Sequence, residues 1–121
     1  MVKPIATVNV TPRLPEPIAR LHDLAYNMRF AWDHETIALF RRLDPELWET
    51  VYHNPVRMIG MVSQERLKEA VNDPAFMVSF ERTLQAYDDY MAAENSWFDE
   101  NYSHITPRPT IAYFSMEFGL T

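Results

Sequence analysis

Asp44-Pro45-Glu46-Leu47-Trp48-Glu49-Thr50-Val51-Tyr52-His53-Asn54-Pro55 contains the same local instruction twice. An Asp or Asn side chain can accept a hydrogen bond from a helix's first free N–H groups. The proline that follows has no N–H to leave unsatisfied and is already held at a helical φ. Asp73-Pro74 repeats the pair, and Asp33 and Ser63 are further acceptors at cap positions. Together they predict helices near 34–43, 45–51, 55–62, 64–72 and 74–94. In the last, Phe76, Phe80, Leu84, Tyr87 and Met91 recur on one face, with Glu81, Asp88 and Asp89 on a solvated side. Upstream, a helix is expected from Pro17, with Ile18, Leu21, Ala25, Met28 and Trp32 as its apolar stripe and Leu24 widening it.

Outside this helical stretch the pattern changes. Ile5 to Val10 is β-branched and short, and Pro12, Pro15 and Pro17 keep the following backbone out of a helix. Residues 95–109 are polar with two prolines and read as a connector, pinned to the helices by Trp97 and Phe98. Thr110 to Met116 is apolar and β-rich between prolines and Gly119, as a strand buried on both faces would be. A lone buried strand leaves its backbone groups without partners. The expected division is therefore an extended segment 1–14, a helical domain 15–94, a connector 95–109, and at 110–121 a strand belonging to a sheet that continues beyond the sequence. The exposed edge of such a strand would promote self-association.

Composition excludes several classes. A formal charge of −6 and scattered basic residues argue against nucleic acid. Two glycines against nine prolines leave no means of building a phosphate-cradling loop. There are no cysteines, hence no disulfides or thiolate sites. No signal-peptide core and no run of about 18 apolar residues occurs, so a cytoplasmic protein without a membrane span is expected, and the sequons at Asn9 and Asn101 carry no meaning.

Single residues offer little chemistry. His22, His34, His53 and His104 have no ligand partners at metal spacing, and Ala38 stands where His34-Glu35 would need a second histidine. No metal site is expected. No serine lies in a nucleophile-elbow context. Asp88-Asp89 diverge by about 100° on a helix and cannot share a proton. Arg41-Arg42 suits the negative end of a helix dipole. Trp32, Trp48 and Trp97, with Tyr26, Tyr52 and Tyr102, could stack on sugar rings, but Trp32 and Trp48 fall where helical faces turn inward and are expected in the core, which leaves Trp97, in the connector, as the leading candidate.

Ile111-Ala112-Tyr113-Phe114-Ser115-Met116-Glu117-Phe118-Gly119-Leu120 resembles the first strand of the catalytic part of α-glucan phosphorylases, the glycogen and maltodextrin phosphorylases among them. Leu24-Ala25-Tyr26-Asn27-Met28-Arg29-Phe30-Ala31-Trp32, Leu43 to Trp48, His53 to Arg57 and Ser63 to Leu67 resemble the helical region preceding it in the prokaryotic enzymes, although Met28, Arg29 and Phe30 stand where that family runs more to tryptophan. Capping and periodicity predict a mainly α fold, a compact array of five or six helices, and the resemblance implies that its C-terminal strand joins the parallel sheet of a Rossmann-like catalytic domain. It implies a parent that is a pyridoxal-phosphate-dependent glycosyltransferase, phosphorolysing α-1,4-glucan to glucose 1-phosphate, with the cofactor's lysine and the phosphate site beyond position 121. The partners implied are that catalytic domain and, in the whole enzyme, glucan and phosphate. This chain alone would be an inactive structural or interface region with no catalytic residue, and Glu117 and Gly119 would approach the sugar pocket only in the whole enzyme. The rival expectation is a free-standing helical module that binds glucan or a protein through its aromatic residues.

Overall fold

A computed structural model describes residues 11–94, 96–105 and 112–114. Among them the protein is mainly α: α1 (Leu21–Tyr26), α2 (His34–Leu43), α3 (Pro45–Thr50), α4 (Pro55–Met61), α5 (Gln64–Asn72), α6 (Pro74–Ala92) and α7 (Trp97–Tyr102), with 3-10 turns at Glu16–Ile18 and Met28–Ala31. Each cap read from the sequence forms. Asp33 accepts from the Thr36 N–H, Asp44 from Leu47, Asn54 from Arg57, Ser63 from Arg66 and Asp73 from Ala75. The α1 helix packs on α4, while α2 lies against α3, α5 and α6. One core results, containing Leu21, Leu24, Phe40, Trp48, Met58 and Phe76 among others.

The helix expected from Pro17 to Trp32 is instead interrupted. Asn27 adopts an extended conformation (φ −98°, ψ 125°), and its Oδ1 accepts from the Arg29 N–H at 2.9 Å. An asparagine side chain that bonds its own backbone offers the chain an alternative to the helix. Past the break, Met28 and Trp32 no longer follow the α1 stripe and are 48% and 62% exposed, so Trp32 is not a core residue. Trp48 is, at 1% exposed. Met91 is also outside the core, at 57%. The 19 residues of α6 span about 28 Å, roughly twice the length of α2 or α5, so its last turns project past the helices it packs on.

The connector also differs from expectation, because it contains α7. Ser96 and Asp99 form a reciprocal capping box, a Ser-x-x-Asp signal legible in the sequence. The Trp97 ring packs edge-on to Tyr102 at 5.5 Å and Phe98 stacks on Tyr102 at 5.2 Å, so these ring contacts are local to α7. The extended segment at 5–10 lies outside the described residues, as does the strand at 110–116 apart from 112–114. Tyr113 and Phe114 in that short piece are exposed.

Charged side chains tie the helices end to end. Arg42, in the last turn of α2, reaches Asp73 at 2.9 Å and the Ala75 carbonyl at 3.4 Å, joining α2 to the start of α6. The final carbonyl of α2, at Leu43, accepts from Arg66 of α5 at 2.9 Å. Arg20 makes a two-pronged pair with Asp88 at 2.8 and 2.7 Å, fastening the start of α1 to α6. Gln64 exchanges two hydrogen bonds with the Arg13 backbone and secures the segment entering the bundle.

Two of these carboxylates sit below the ordinary value of 3.8. At Asp73 partial desolvation opposes the charge, but the N–H groups of Ala75 and Phe76 and the Arg42 guanidinium outweigh it. At Asp88 the Arg20 hydrogen bond is the chief cause. A folded-state pKa below the unfolded one gives stability that is complete above the unfolded value and is lost as pH falls through the folded one. The melting temperature is therefore expected to fall on acidification below about pH 4, and the Asp73→Asn, Asp88→Asn double variant to show a flatter profile there by calorimetry.

Candidate functional site

Helix α3 ends without glycine. Tyr52 N–H bonds to the Glu49 carbonyl and His53 N–H to the Trp48 carbonyl, both at 3.0 Å, the bond pair of a Schellman stop. Glycine usually occupies the left-handed position of such a stop, yet here Tyr52 has φ 55° and His53 φ 59°. Each non-glycine residue in that region costs roughly 1–2 kcal/mol. Part of the compensation is visible in the ring of His53, which stacks on Trp48 at 5.2 Å while its Nε2 meets Glu49 at 2.9 Å. Asn54 then caps α4 directly. Tyr52 is 78% exposed, so Tyr52→Gly should remove strain with little loss of packing and raise stability by about 0.5–1 kcal/mol in urea unfolding.

This strained turn forms one wall of a groove of about 470 Å³. The end of α1 and the 3-10 turn also line it, through Tyr26, Met28 and Phe30, as does Arg57 of α4. His22 stacks on Tyr26 at 4.3 Å and fixes that ring. Trp48 lines the groove from the core side, between Phe40 and His53, and its indole N–H is buried without a hydrogen-bond partner. No Asp or Glu lines the groove among the described residues, so it offers contact surface rather than an acid–base pair.

Of the aromatic residues singled out from the sequence, Tyr26, Trp48 and Tyr52 line this groove, whereas the other candidates do not gather here. Glu117 and Gly119 lie outside the described residues. Trp97 begins α7 and is 68% exposed. Tyr26, Met28, Tyr52, His53 and Arg57 were not read as a group from the sequence. The one local clue was a helix stop followed by His-Asn-Pro with no glycine to turn the chain, which forces a left-handed residue. No helix among the described residues is long and apolar enough to cross a membrane.

A small helical domain with an aromatic groove is thus what the fold defines, and the chain belongs to the family described as a protein of unknown function (DUF3417), which matches residues 14–121. Among its relatives, the chain is 34% identical over 122 residues to a glycogen phosphorylase of Mycobacterium tuberculosis (strain CDC 1551 / Oshkosh), a match covering 98% of this chain and 14% of that protein. It is 36% identical over 112 residues to the maltodextrin phosphorylase of Thermococcus litoralis, covering 93% of the chain and 13% of the relative. A glycogen phosphorylase of Aquifex aeolicus is 29% identical over 100 residues, covering 83% and 13%. The chain thus spans about one-seventh of the length of these relatives. No solved structure gives a significant match. The resemblance to glycogen and maltodextrin phosphorylases read from the sequence motifs is borne out.

Proposed function

We infer that the chain is the N-terminal helical region of a longer α-glucan phosphorylase, whose whole polypeptide uses inorganic phosphate to release glucose 1-phosphate from α-1,4-glucan. The observation that carries this is 34–36% identity along nearly the whole chain to proteins named glycogen and maltodextrin phosphorylase, of which it covers only 13–14%. In this reading residues 15–94 form the helical domain, 95–109 lead from it, and 110–121 begin the catalytic domain, with Glu117 and Gly119 near its sugar pocket. The helical part contributes structure and interface, and its compartment is the cytoplasm.

Pyridoxal phosphate belongs, on this reading, to the remainder of the polypeptide. The chain has two lysines; Lys68 does not line the groove, and Lys3 lies outside the described residues. Its two glycines cannot build a phosphate-cradling loop. When bound elsewhere in the parent, the cofactor would supply proton transfer through its phosphate; this chain's residues provide packing and shape.

The test is direct. The product of the full gene, given glycogen or maltoheptaose with inorganic phosphate, should release glucose 1-phosphate, and residues 1–121 alone should not. A full-gene product with no such activity would overturn the reading. The exposed Trp97 favours a second one, an independent glucan-binding module. Quenching of tryptophan fluorescence by millimolar maltoheptaose in the 121-residue chain, lost in Trp97→Ala, would support it.

A further inference from the structure

Exposed apolar side chains converge on one end of the bundle. Tyr26, Met28 and Tyr52 flank the groove and are 60%, 48% and 78% exposed. The overhanging end of α6 adjoins them, since Asn27 Nδ2 contacts Met91 Sδ at 3.6 Å and the Arg29 guanidinium lies 5.2 Å from the centre of the Tyr90 ring. Tyr90 and Met91 are themselves 52% and 57% exposed. Large contiguous apolar surface of this kind marks a place where something docks.

Its chemistry selects the occupant. Tyrosine, methionine and arginine are the side chains enriched at the centre of protein–protein interfaces, where aspartate, glutamate and lysine are depleted. Methionine thioethers offer a sugar no useful hydrogen bond, and the groove has no carboxylate to accept from sugar hydroxyls. The Trp48 indole N–H without an acceptor and the left-handed Tyr52-His53 turn stand in the wall of the same groove. Strained backbone of this sort persists at clamps and contact sites. The matched phosphorylases carry about six-sevenths of their length outside the region that this chain covers, so a protein surface on the same polypeptide is available to fill it.

We propose that the end of the bundle formed by Tyr26, Met28, Tyr52, Tyr90 and Met91 is the surface on which the rest of the parent polypeptide docks. The proposal rests on the phosphorylase reading, and it identifies which face of the helical domain meets the catalytic part. The remaining chain covers both methionines and packs aromatic or aliphatic side chains into the groove between Tyr26 and Tyr52.

Methionine footprinting of the full gene product tests this, with Met61 as an internal reference. Met61 is 55% exposed in this chain, comparable with Met28 and Met91, and lies at the far end of α4 from Pro55, about 9 Å along the helix. Under limiting hydrogen peroxide, with peptide mass spectrometry as readout, Met28 and Met91 should oxidise at least ~10-fold more slowly than Met61. Oxidation of all three at similar rates overturns the proposal. Protection that appears only with added maltoheptaose overturns it in favour of a glucan occupant, and protection lost on dilution overturns it in favour of a second copy. Glucose 1-phosphate release by the same preparation reports separately on the phosphorylase reading: an active enzyme with unprotected Met28 and Met91 sinks only the docking face.

Discussion

Trp48→Ala is expected to cost about 3–5 kcal/mol, the usual range for emptying a large aromatic site in a packed core. For a domain stabilised by about 5–15 kcal/mol, that is a large fraction of the whole. Trp48 is 1% exposed, stacks on Phe40 on one side and on His53 on the other, and its backbone carbonyl holds the stop of α3. Removing the ring therefore opens a cavity and also frees the His53 side chain that helps offset the left-handed turn. Urea unfolding followed by circular dichroism should show the midpoint drop sharply. Trp48→Phe is the informative companion, because it keeps a ring between Phe40 and His53 while deleting an indole N–H that has no partner. It should cost much less, and equal losses in the two variants would show that the ring stack contributes little.

Asp33→Ala carries the second large effect, about 2–4 kcal/mol, combining the loss of a helix cap with the stranding of its partners. Asp33 Oδ2 accepts from the Thr36 N–H at 3.2 Å and from the Thr36 hydroxyl, and Arg29 Nη1 meets it at 2.8 Å. Thr36 is 2% exposed, so its hydroxyl would lose a partner that water cannot easily replace. The Arg29–Asp33 side chains are each only 15% exposed, which sets this pair apart from the half-exposed pairs elsewhere in the bundle. Asp33→Asn keeps a cap acceptor and should lose less. Combining Asp33→Ala with Thr36→Val should recover part of the loss, since the buried hydroxyl left unpaired is then gone. A double variant no more stable than Asp33→Ala would show that the hydroxyl was never the costly group.

The two variants differ in how readily the sequence announces them. Asp33 was legible as a cap, because a short polar side chain before a periodic apolar run acts within one turn of backbone. Its hold on Arg29 is likewise local, one helical turn away. The exposure of Trp32 was not legible: an apolar residue at helical spacing reads as core unless the helix breaks, and the break depends on Asn27 choosing its own backbone over the helix. The capping box before α7 was present in the sequence and was outweighed by the prolines and polar residues around it.

The candidate groove was the least legible feature. It is lined by residues within 25–31 and 48–57 and by Ile37, and the first two stretches meet because α1 packs on α4. Nothing in the spacing of Tyr26 and Tyr52 along the chain states that they flank one opening. Glu117 and Gly119 rest on the family motif and stand as a proposal.

By itself the sequence determined the helices from α2 to α6 and their starting points, since capping and periodicity act over three or four residues and need no partner from afar. Its motifs also placed the chain beside the glycogen and maltodextrin phosphorylases. Only the tertiary structure decided which apolar residues are buried and which form an outward face. Burial depends on where helices meet and where they outrun one another, as α6 outruns α2 and leaves Met91 beside Asn27. That mismatch of lengths, together with the left-handed stop at Tyr52 and His53, turns what the sequence presents as core stripes into an exposed aromatic end.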